Sequence, residues 1–202
     1  MKLRSIALLA ALGLTASGAA LAQGSPEKGE AKSTPCVACH GPAGKSANPE
    51  WPSLAGQHAS YIESQLLAFK NGERENPLMT PQAQMLSEED IKDLAAYYAA
   101  QSPATGEADP ARLDLGQRVY RSGDERNGLP ACAGCHGPTG AGNPPAAYPR
   151  IGGQQAAYVA AQLRAYRSGK RQTDPNQIMR NIAGLMSDEQ IDAVASYVQG
   201  LR

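Results

Sequence analysis

Apolar side chains recur along this chain with the spacing of an amphipathic helix, and the pattern occurs twice. Residues three and four positions apart share one face of a helix, so such a stripe indicates a buried face. The stripes are Ile62, Leu66 and Phe69; Ile91, Leu94, Ala95 and Tyr98; Val159, Leu163 and Tyr166; and Ile191, Val194, Ala195 and Val198. Capping pairs typical of a helix start precede the second and fourth stripes. These pairs are Ser87 with Asp90 and Ser187 with Gln190.

The stripes belong to an internal repeat of about one hundred residues, which indicates tandem domains. Residues 52–57 (Pro-Ser-Leu-Ala-Gly-Gln) match residues 149–154 (Pro-Arg-Ile-Gly-Gly-Gln), and residues 87–97 match 187–197. Between these segments the same residue types recur in the same order. They are Tyr61, Gln65, Leu66, Ala68, Gly72 and Arg74, matched by Tyr158, Gln162, Leu163, Ala165, Gly169 and Arg171.

The sequence therefore predicts an all-α fold of two related domains, residues 23–104 and 105–202. A linker is expected at residues 102–110, which are rich in proline and small side chains. Each domain is expected to open with a short helix, at residues 28–32 in the first and 115–121 in the second.

The first residues have the pattern of a secretion signal. Two basic residues precede a short apolar run at 6–14, and residues 20–22 (Ala-Leu-Ala) fit the small-x-small cleavage pattern. The run is too short to span a bilayer, so we expect a cleaved signal peptide at residues 1–22, with an uncleaved membrane tether as the alternative. No later segment of the sequence approaches the length of a membrane-spanning helix. The mature chain is expected in the periplasm.

Charge argues against nucleic-acid binding and distinguishes the two halves. The chain has 19 basic and 19 acidic residues, and 17 and 19 remain after removal of the signal. This balance lacks the basic excess of proteins that bind nucleic acid. Residues 23–104 hold 6 basic and 10 acidic residues, whereas residues 105–202 hold 11 and 9. A dipolar molecule can orient itself on a charged partner, although chance divergence of the halves explains the difference equally well.

All four cysteines lie in two Cys-x-x-Cys-His pentapeptides, at residues 36–40 and 132–136. This motif is typical of covalent haem c attachment, because two thiols add to the two vinyl groups of one porphyrin and the adjacent histidine reaches the iron. The expected attachment residues are Cys36, Cys39, Cys132 and Cys135, and the expected axial ligands are His40 and His136. Two haem c groups would also supply apolar bulk that domains of about 90 residues lack, so we expect haem-free domains to fold poorly.

Three other kinds of cysteine site fit the sequence less well. A single zinc site with four thiolates leaves both histidines unexplained, and it ignores the helical pattern between the two pairs. Disulfides would close two-residue loops, which is uncommon, and small disulfide scaffolds carry denser cysteine. A redox dithiol of the thioredoxin type needs a βαβ context, and no strand-like run flanks either motif.

Methionine is the expected second axial ligand at both sites. Only His58 is left among the histidines to serve two sites, and the second half has Gln155 in its place. Met79 and Met179 each lie eight residues before the serine of a capped helix, in loop sequence rich in Asn, Pro and Gln. Their equivalent places in the repeat make them the predicted ligands.

The remaining residues of these types have structural interpretations. Met85 and Met186 stand just ahead of the capped helices and are expected to be apolar packing. His58 is expected to be a solvent-exposed residue at the start of a helix.

Two prolines are candidates for support of the axial histidines. Pro52 and Pro149 follow their histidines by 12 and 13 residues. A proline so placed can offer its carbonyl to the Nδ1–H of the ligand, which fixes the tautomer and raises its basicity; an ordinary loop proline is the alternative. Trp51 and Tyr148 precede the prolines, and packing against haem, a bond to a propionate and core packing all remain open for them.

The chain resembles di-haem cytochrome c4 over essentially its whole length after the signal. The resemblance rests on the tandem Cys-x-x-Cys-His motifs, the two Pro-x-(Leu/Ile)-(Ala/Gly)-Gly-Gln stretches and the Ile178-Met179-Arg180 run. It implies two class I cytochrome c domains related by a pseudo-twofold axis, with haem propionates facing each other across the interface. The ligand pairs that it implies are His40 with Met79 and His136 with Met179.

The resemblance also implies a periplasmic protein, loosely membrane-associated in some members, that passes electrons toward terminal oxidases such as the cbb3 type. A His/Met pair leaves iron no open position for oxygen or peroxide, so we predict an electron carrier rather than an enzyme. Its electrons are expected to come from a quinol-oxidising complex and to reach an oxidase or a reductase. A cytochrome subunit of a dehydrogenase is the alternative, and a di-haem peroxidase fits the histidine count poorly.

Overall fold

The computed structural model describes residues 24–202, so the signal peptide expected at residues 1–22 lies outside the described residues. The helices of the first half are α1 (Pro26–Lys32), α2 (Thr34–His40), α3 (Ala59–Lys70), α4 (Met79–Gln84) and α5 (Glu88–Ala99). Those of the second half are α6 (Leu113–Ser122), α7 (Ala133–His136), α8 (Ala156–Arg167), α9 (Ile178–Gly184) and α10 (Asp188–Gly200). In this part of the chain β pairing is limited to two isolated bridges, so the predicted all-α fold is confirmed.

The two halves repeat one packing scheme. In the first half α1 and α3 pack on α5, and α3 also packs on α4. In the second half α6 and α8 pack on α10, and α8 packs on α9. Among the described residues no helix is both long and apolar enough to cross a bilayer.

The capped starts of α5 and α10 are confirmed. Each N-cap serine accepts a bond from the amide of the third helical residue, whose side chain bonds back to the serine amide. The opening helices α1 and α6 begin two residues earlier than predicted. In α1 the reason is local, because Ser25 caps the helix and Pro26 suits its first turn.

Glycine permits a close helix crossing in each half. A Cβ at Gly29 of α1 would lie 2.1 Å from the Asp93 carbonyl oxygen of α5. A Cβ at Gly116 of α6 would lie 2.3 Å from the Ala193 carbonyl oxygen of α10. Neither distance leaves room for a side chain, so these helices meet through their backbones. Since α1 contacts α2 and α6 contacts α7, the crossings position both pentapeptides.

The apolar cores of the two halves differ in size. Within the described residues the core cluster of the second half joins eleven buried side chains, whereas that of the first joins four. The four are Ile62, Leu94, Ala95 and Tyr98. Met186, with 5% of its surface exposed, belongs to the larger core, so its predicted packing role is confirmed.

The packing role predicted for Met85 is wrong. Its side chain is 75% exposed, and Leu185 at the equivalent position is also exposed. Both residues directly follow a short helix, as its C-cap, and stand one position before an inward-facing residue, Leu86 or Met186. This position therefore faces outward in both halves.

The segment expected as a linker lies against both halves. Residues 102–109 carry no helix. A Cβ at Gly56 would lie 2.5 Å from the Pro103 ring, and the Asp109 amide donates to Ser196 Oγ over 2.8 Å. The connection thus packs closely on the backbone of the first half and is bonded to a side chain of the second, while the boundary at 104/105 stays a prediction.

Candidate haem-binding sites

The four cysteines lie on or beside α2 and α7, and their thiols are free and half-buried. Burial raises the pKa of the Cys36 thiol and raises the pKa of Cys132 to about 11, as expected for thiols in apolar surroundings. Within residues 24–202 no group of three or more His, Cys, Asp or Glu side chains could hold a metal ion. The two pairs therefore do not form a single zinc site.

Both pentapeptide histidines are held in the orientation that an axial ligand needs. His40 ends α2 and His136 ends α7, and both are buried. His40 Nδ1 lies 2.8 Å from the Pro52 carbonyl oxygen, and His136 Nδ1 lies 2.9 Å from that of Pro149. Because a carbonyl can only accept, Nδ1 carries the proton and the lone pair stays on Nε2.

Burial also keeps these histidines neutral. It lowers the pKa of His40 and of His136, and the bond to the proline carbonyl opposes the shift only in part. A neutral imidazole with a free Nε2 is the form that binds iron. The support predicted for Pro52 and Pro149 is confirmed.

The aromatic residues before the two prolines differ in what they contact. The Tyr148 ring lies 6.4 Å from the His136 ring, centroid to centroid. A bridge between Tyr148 and Asn143 holds this loop. Trp51 is half-buried. Tyr148 therefore packs beside the histidine of its own domain.

The two methionine loops are built differently. Met79 is the first residue of α4, and the Asn76 side chain accepts bonds from the amides of Leu78 and Met79 over 2.9 and 3.0 Å. Ten positions separate Gly169 from Met179, against seven between Gly72 and Met79. Both methionines are half-buried.

An ion pair holds the longer second loop. Asn176 and Gln177 take positive φ values of 53° and 60°. Asp174, buried, accepts from the Arg180 guanidinium over 2.8 Å and from its amide over 2.9 Å. The ion pair closes the loop around the start of α9 and so fixes the place of Met179.

Two buried polar atoms lack a partner among the described residues, and one of them suits a haem carboxylate. They are the Tyr98 hydroxyl and Arg150 Nε. A buried donor without an acceptor costs about 1–3 kcal/mol. Arg150 follows the proline that holds His136, and haem carboxylates are acceptors that a guanidinium favours. Tyr98 lies near the Cys36 thiol, beside the expected attachment site.

Two glutamines join the halves by a reciprocal exchange of backbone hydrogen bonds. Gln57 Nε2 donates to the Arg150 carbonyl over 2.7 Å, and Gln57 Oε1 accepts from the Arg150 amide over 3.0 Å. Gln154 makes the same two bonds with Ser53, over 2.8 and 2.9 Å. The same contact made in both directions is what a pseudo-twofold axis produces.

Arg74 and Arg171 extend the interface with a second reciprocal network. Each guanidinium donates to a glutamine of each half and to a tyrosine hydroxyl of the opposite half, over 2.7–3.1 Å. The glutamines are Gln65 and Gln162, and the tyrosines are Tyr61 and Tyr158. Each guanidinium also stacks on an aromatic ring of its own half at 4.6 Å. The cross-domain contact is therefore polar and specific.

His58 is the N-cap residue of α3, at the start of a helix as predicted, but the exposed role expected for it is wrong. It is half-buried, and its Nε2 lies 2.8 Å from the Ala141 carbonyl oxygen of the other half. Gln155, its counterpart, donates to the Ser46 carbonyl over 2.7 Å. Both residues serve the interface.

The interface residues were present in the repeat but received no role from the sequence. Gln57 and Gln154, with the arginines and tyrosines above, recur at matched places in both halves. That identity marked them as candidates. Their partners lie 93 and 101 residues away, which local patterning does not reveal.

The comparisons with known proteins agree with this geometry. The Cytochrome c family pattern matches residues 26–100 and again residues 113–202. Cytochrome c4 of Azotobacter vinelandii is 45% identical over 206 residues, which cover 97% of each chain. The thiosulfate dehydrogenase electron acceptor of Stutzerimonas stutzeri is 41% identical over 80% of this chain and 76% of its own.

A solved structure has the same fold. The crystal structure of reduced recombinant cytochrome c4 from Pseudomonas stutzeri superposes with a TM-score of 0.86 at 42% identity, covering 89% of this chain and all of that one. The resemblance stated from the motifs is thus confirmed. The chain belongs to the cytochrome c4 family of electron-transfer proteins, with two tandem cytochrome c domains and two covalently attached haem c groups.

Proposed function

We propose that the protein carries electrons in the periplasm, from a quinol-oxidising complex to a terminal oxidase such as the cbb3 type, or to a reductase. The proposed haem attachment and axial ligands use eight residues. They are Cys36, Cys39, His40 and Met79 in the first domain, and Cys132, Cys135, His136 and Met179 in the second. Export would depend on the signal peptide proposed at residues 1–22.

The observation that carries the proposal is the state of the two histidines. Each is buried, neutral and fixed through Nδ1, so its Nε2 is available to bind iron in both domains. Such support orients the ligand before it binds and raises its basicity. Two sites prepared in the same way suit one-electron transfer at each.

The two methionines also support the role of an electron carrier. A thioether ligand favours ferrous iron, and a filled sixth position excludes oxygen and peroxide. The chain's own contribution is to fix the ligands: Asn76 holds the start of α4, and the Asp174–Arg180 pair holds the start of α9. The protein then acts as a carrier with no substrate of its own to transform.

A second function is favoured by one of the relatives. The likeness to the thiosulfate dehydrogenase electron acceptor of Stutzerimonas stutzeri covers 80% of this chain. Electron acceptance from a thiosulfate-oxidising dehydrogenase would use the same two haem domains. Rapid-mixing reduction of the purified protein by each donor distinguishes the two functions, since the physiological donor should reduce it faster by at least about tenfold.

The ligand proposal is tested by the ferric absorption band near the red end of the spectrum that reports sulfur bound to iron. We expect Met79→His and Met179→His each to remove about half of this band and to lower one reduction potential. Met85→His is the matched control, because Met85 is 75% exposed, and it should leave the band unchanged. A full band in either ligand variant would show that the wrong methionine had been chosen.

A further inference from the structure

The reciprocal glutamine contacts fall on the two loops that hold the axial histidines. The carbonyl of Pro149 accepts from His136, and the next residue along the chain, Arg150, is bound at both its amide and its carbonyl by Gln57. Gln57 belongs to the other domain. The loop that orients the second-domain histidine is therefore fixed from the first domain.

The same arrangement runs in the opposite direction. Pro52 accepts from His40, and Ser53, the next residue, is bound at its amide and carbonyl by Gln154 of the second domain. The two routes cross at the interface. Each histidine thus depends on a glutamine of the domain to which it does not belong.

The glutamine side chains are themselves fixed. Gln57 Oε1 also accepts from the His58 amide over 2.9 Å, and Gln154 Oε1 accepts from the Gln155 amide over 3.0 Å. Gln57 is buried. A side chain with three hydrogen bonds in a buried place has little freedom, so it holds the opposite loop at a set position.

We propose that Gln57 and Gln154 are positioning residues that set the reduction potential of the haem in the opposite domain. They act through the backbone of residues 149–150 and 52–53, which places the carbonyl that accepts from the axial histidine. A well-placed carbonyl strengthens the Nδ1–H bond and makes the imidazole a stronger donor to iron. This inference rests on the proposed axial ligands His40 and His136.

The direction of the effect follows from the hydrogen bond. Without Gln57 the loop at residues 149–150 relaxes, the bond from His136 Nδ1 weakens and the imidazole donates less to iron. A weaker donor stabilises the ferric state less, so the potential at His136 rises. Loss of Gln154 raises the potential at His40 in the same way.

The test is a redox titration of the full-length holoprotein followed by nuclear magnetic resonance, which resolves the two haems separately. Their signals are assigned with the Met79→His and Met179→His variants, each of which alters one site. We expect Gln57→Ala to raise the reduction potential of the second-domain haem by at least about 28 mV, which is about a threefold change in its one-electron equilibrium constant. The potential of the first-domain haem should be unchanged. We expect Gln154→Ala to raise the potential of the first-domain haem by a similar amount and to leave the second-domain haem unchanged.

Tyr158→Phe is the matched control. It removes a cross-domain bond of 3.1 Å to Arg74 without touching either carbonyl loop, so both potentials should stay in place. Gln57→Met keeps the length of the side chain, adds no charge and loses both hydrogen bonds to Arg150, and it replaces Gln57→Ala if that variant fails to take up haem. It should shift the same, second-domain haem.

Three results would overturn the inference. They are a shift of the haem in the glutamine's own domain, an equal shift of both haems, and no shift in any glutamine variant. These results are distinct from failure of the proposed function, which would appear as absence of the sulfur–iron band from the unaltered protein. A protein that keeps the band and shows uncrossed shifts would refute only the positioning role.

Discussion

The two domains differ inside and agree where they meet. The buried core cluster joins eleven side chains in the second domain and four in the first. At the interface, by contrast, the contacts of Gln57 are repeated by Gln154, and those of Arg74 by Arg171. The core side chains of a domain can change as long as its helices keep their packing. Contacts across a pseudo-twofold axis, by contrast, must match in pairs. The two domains therefore form one joined structural unit.

A pair of tyrosines illustrates the internal divergence. Tyr98 comes from α5, the last helix of its domain, and lies near the Cys36 thiol. Tyr120 comes from α6, the first helix of the second domain, and lies near Cys132. Its hydroxyl donates to the Gly137 carbonyl over 2.6 Å. A tyrosine thus lies near the first cysteine of each pair, but it comes from the last helix in one domain and from the first helix in the other.

The largest difference between the domains should appear when haem attachment is removed. Cys36→Ser with Cys39→Ser should leave the first domain unfolded, because its own buried cluster is small. Cys132→Ser with Cys135→Ser should leave more structure, since that core is larger. Far-ultraviolet circular dichroism and the haem content of each purified variant measure this. Equal, cooperative unfolding of both haem-depleted domains would contradict it.

Alanine at the two glycine crossings should destabilise the two domains to a similar extent. Gly29→Ala and Gly116→Ala each place a Cβ within about 2 Å of a carbonyl oxygen, and each should lower the free energy of unfolding by about 3 kcal/mol. Denaturant unfolding of the holoprotein measures the change. Gly184→Ala is the control, because an added Cβ there meets no atom of the described chain within 4 Å, and it should be neutral or slightly stabilising. Tolerance of alanine at either crossing would refute the shared helix packing.

Replacing the two tyrosines should change stability by less, and by different amounts in the two domains. Tyr120→Phe removes the bond to Gly137 and should cost about 1 kcal/mol. Tyr98→Phe removes a hydroxyl that has no hydrogen-bond partner among residues 24–202, so its cost should stay below about 0.5 kcal/mol. Thermal unfolding of both variants gives the comparison. A larger cost for Tyr98→Phe would mean that its hydroxyl is bonded in the holoprotein.

The smallest expected effect depends on pH. Asp93 accepts from the Ser25 amide and from Lys32, and these bonds lower its pKa; the equivalent residue in the second domain is Ala193. A carboxyl whose folded-state pKa is lowered stabilises the protein above its unfolded pKa, and this stability is lost as the pH falls through the folded value. Asp93→Ala should therefore lower the melting temperature at neutral pH. The difference should shrink as the pH falls below the ordinary aspartate pKa of about 3.9 and through the lowered pKa of Asp93, and a constant difference would contradict the assignment.

Much of each domain could be predicted because the signals are local. Ser87 and Ser187 mark helix starts within three residues, and the histidine of each pentapeptide bonds to a proline carbonyl 12 or 13 residues away. The exposure of Met85 was missed because apolar character alone does not say which way a residue faces in a short helix.

The interface could not be predicted because its partners are distant in sequence. From the sequence His58 is expected to be an ordinary surface histidine. In the structure the Ala141 carbonyl of the second domain, 83 residues along the chain, lies against its ring. The repeat indicated which residues are matched, such as Gln57 and Gln154. Only the docked domains show that each binds the other's histidine loop.

The central claim is that the protein holds two His/Met haems and transfers one electron at each. A potentiometric titration of the whole protein, followed at the haem bands and at the sulfur–iron band, tests it most directly. We predict two one-electron transitions, with about half of the sulfur–iron band lost in each as iron is reduced. A single one-electron transition, or a haem that titrates without loss of the band, would contradict the account.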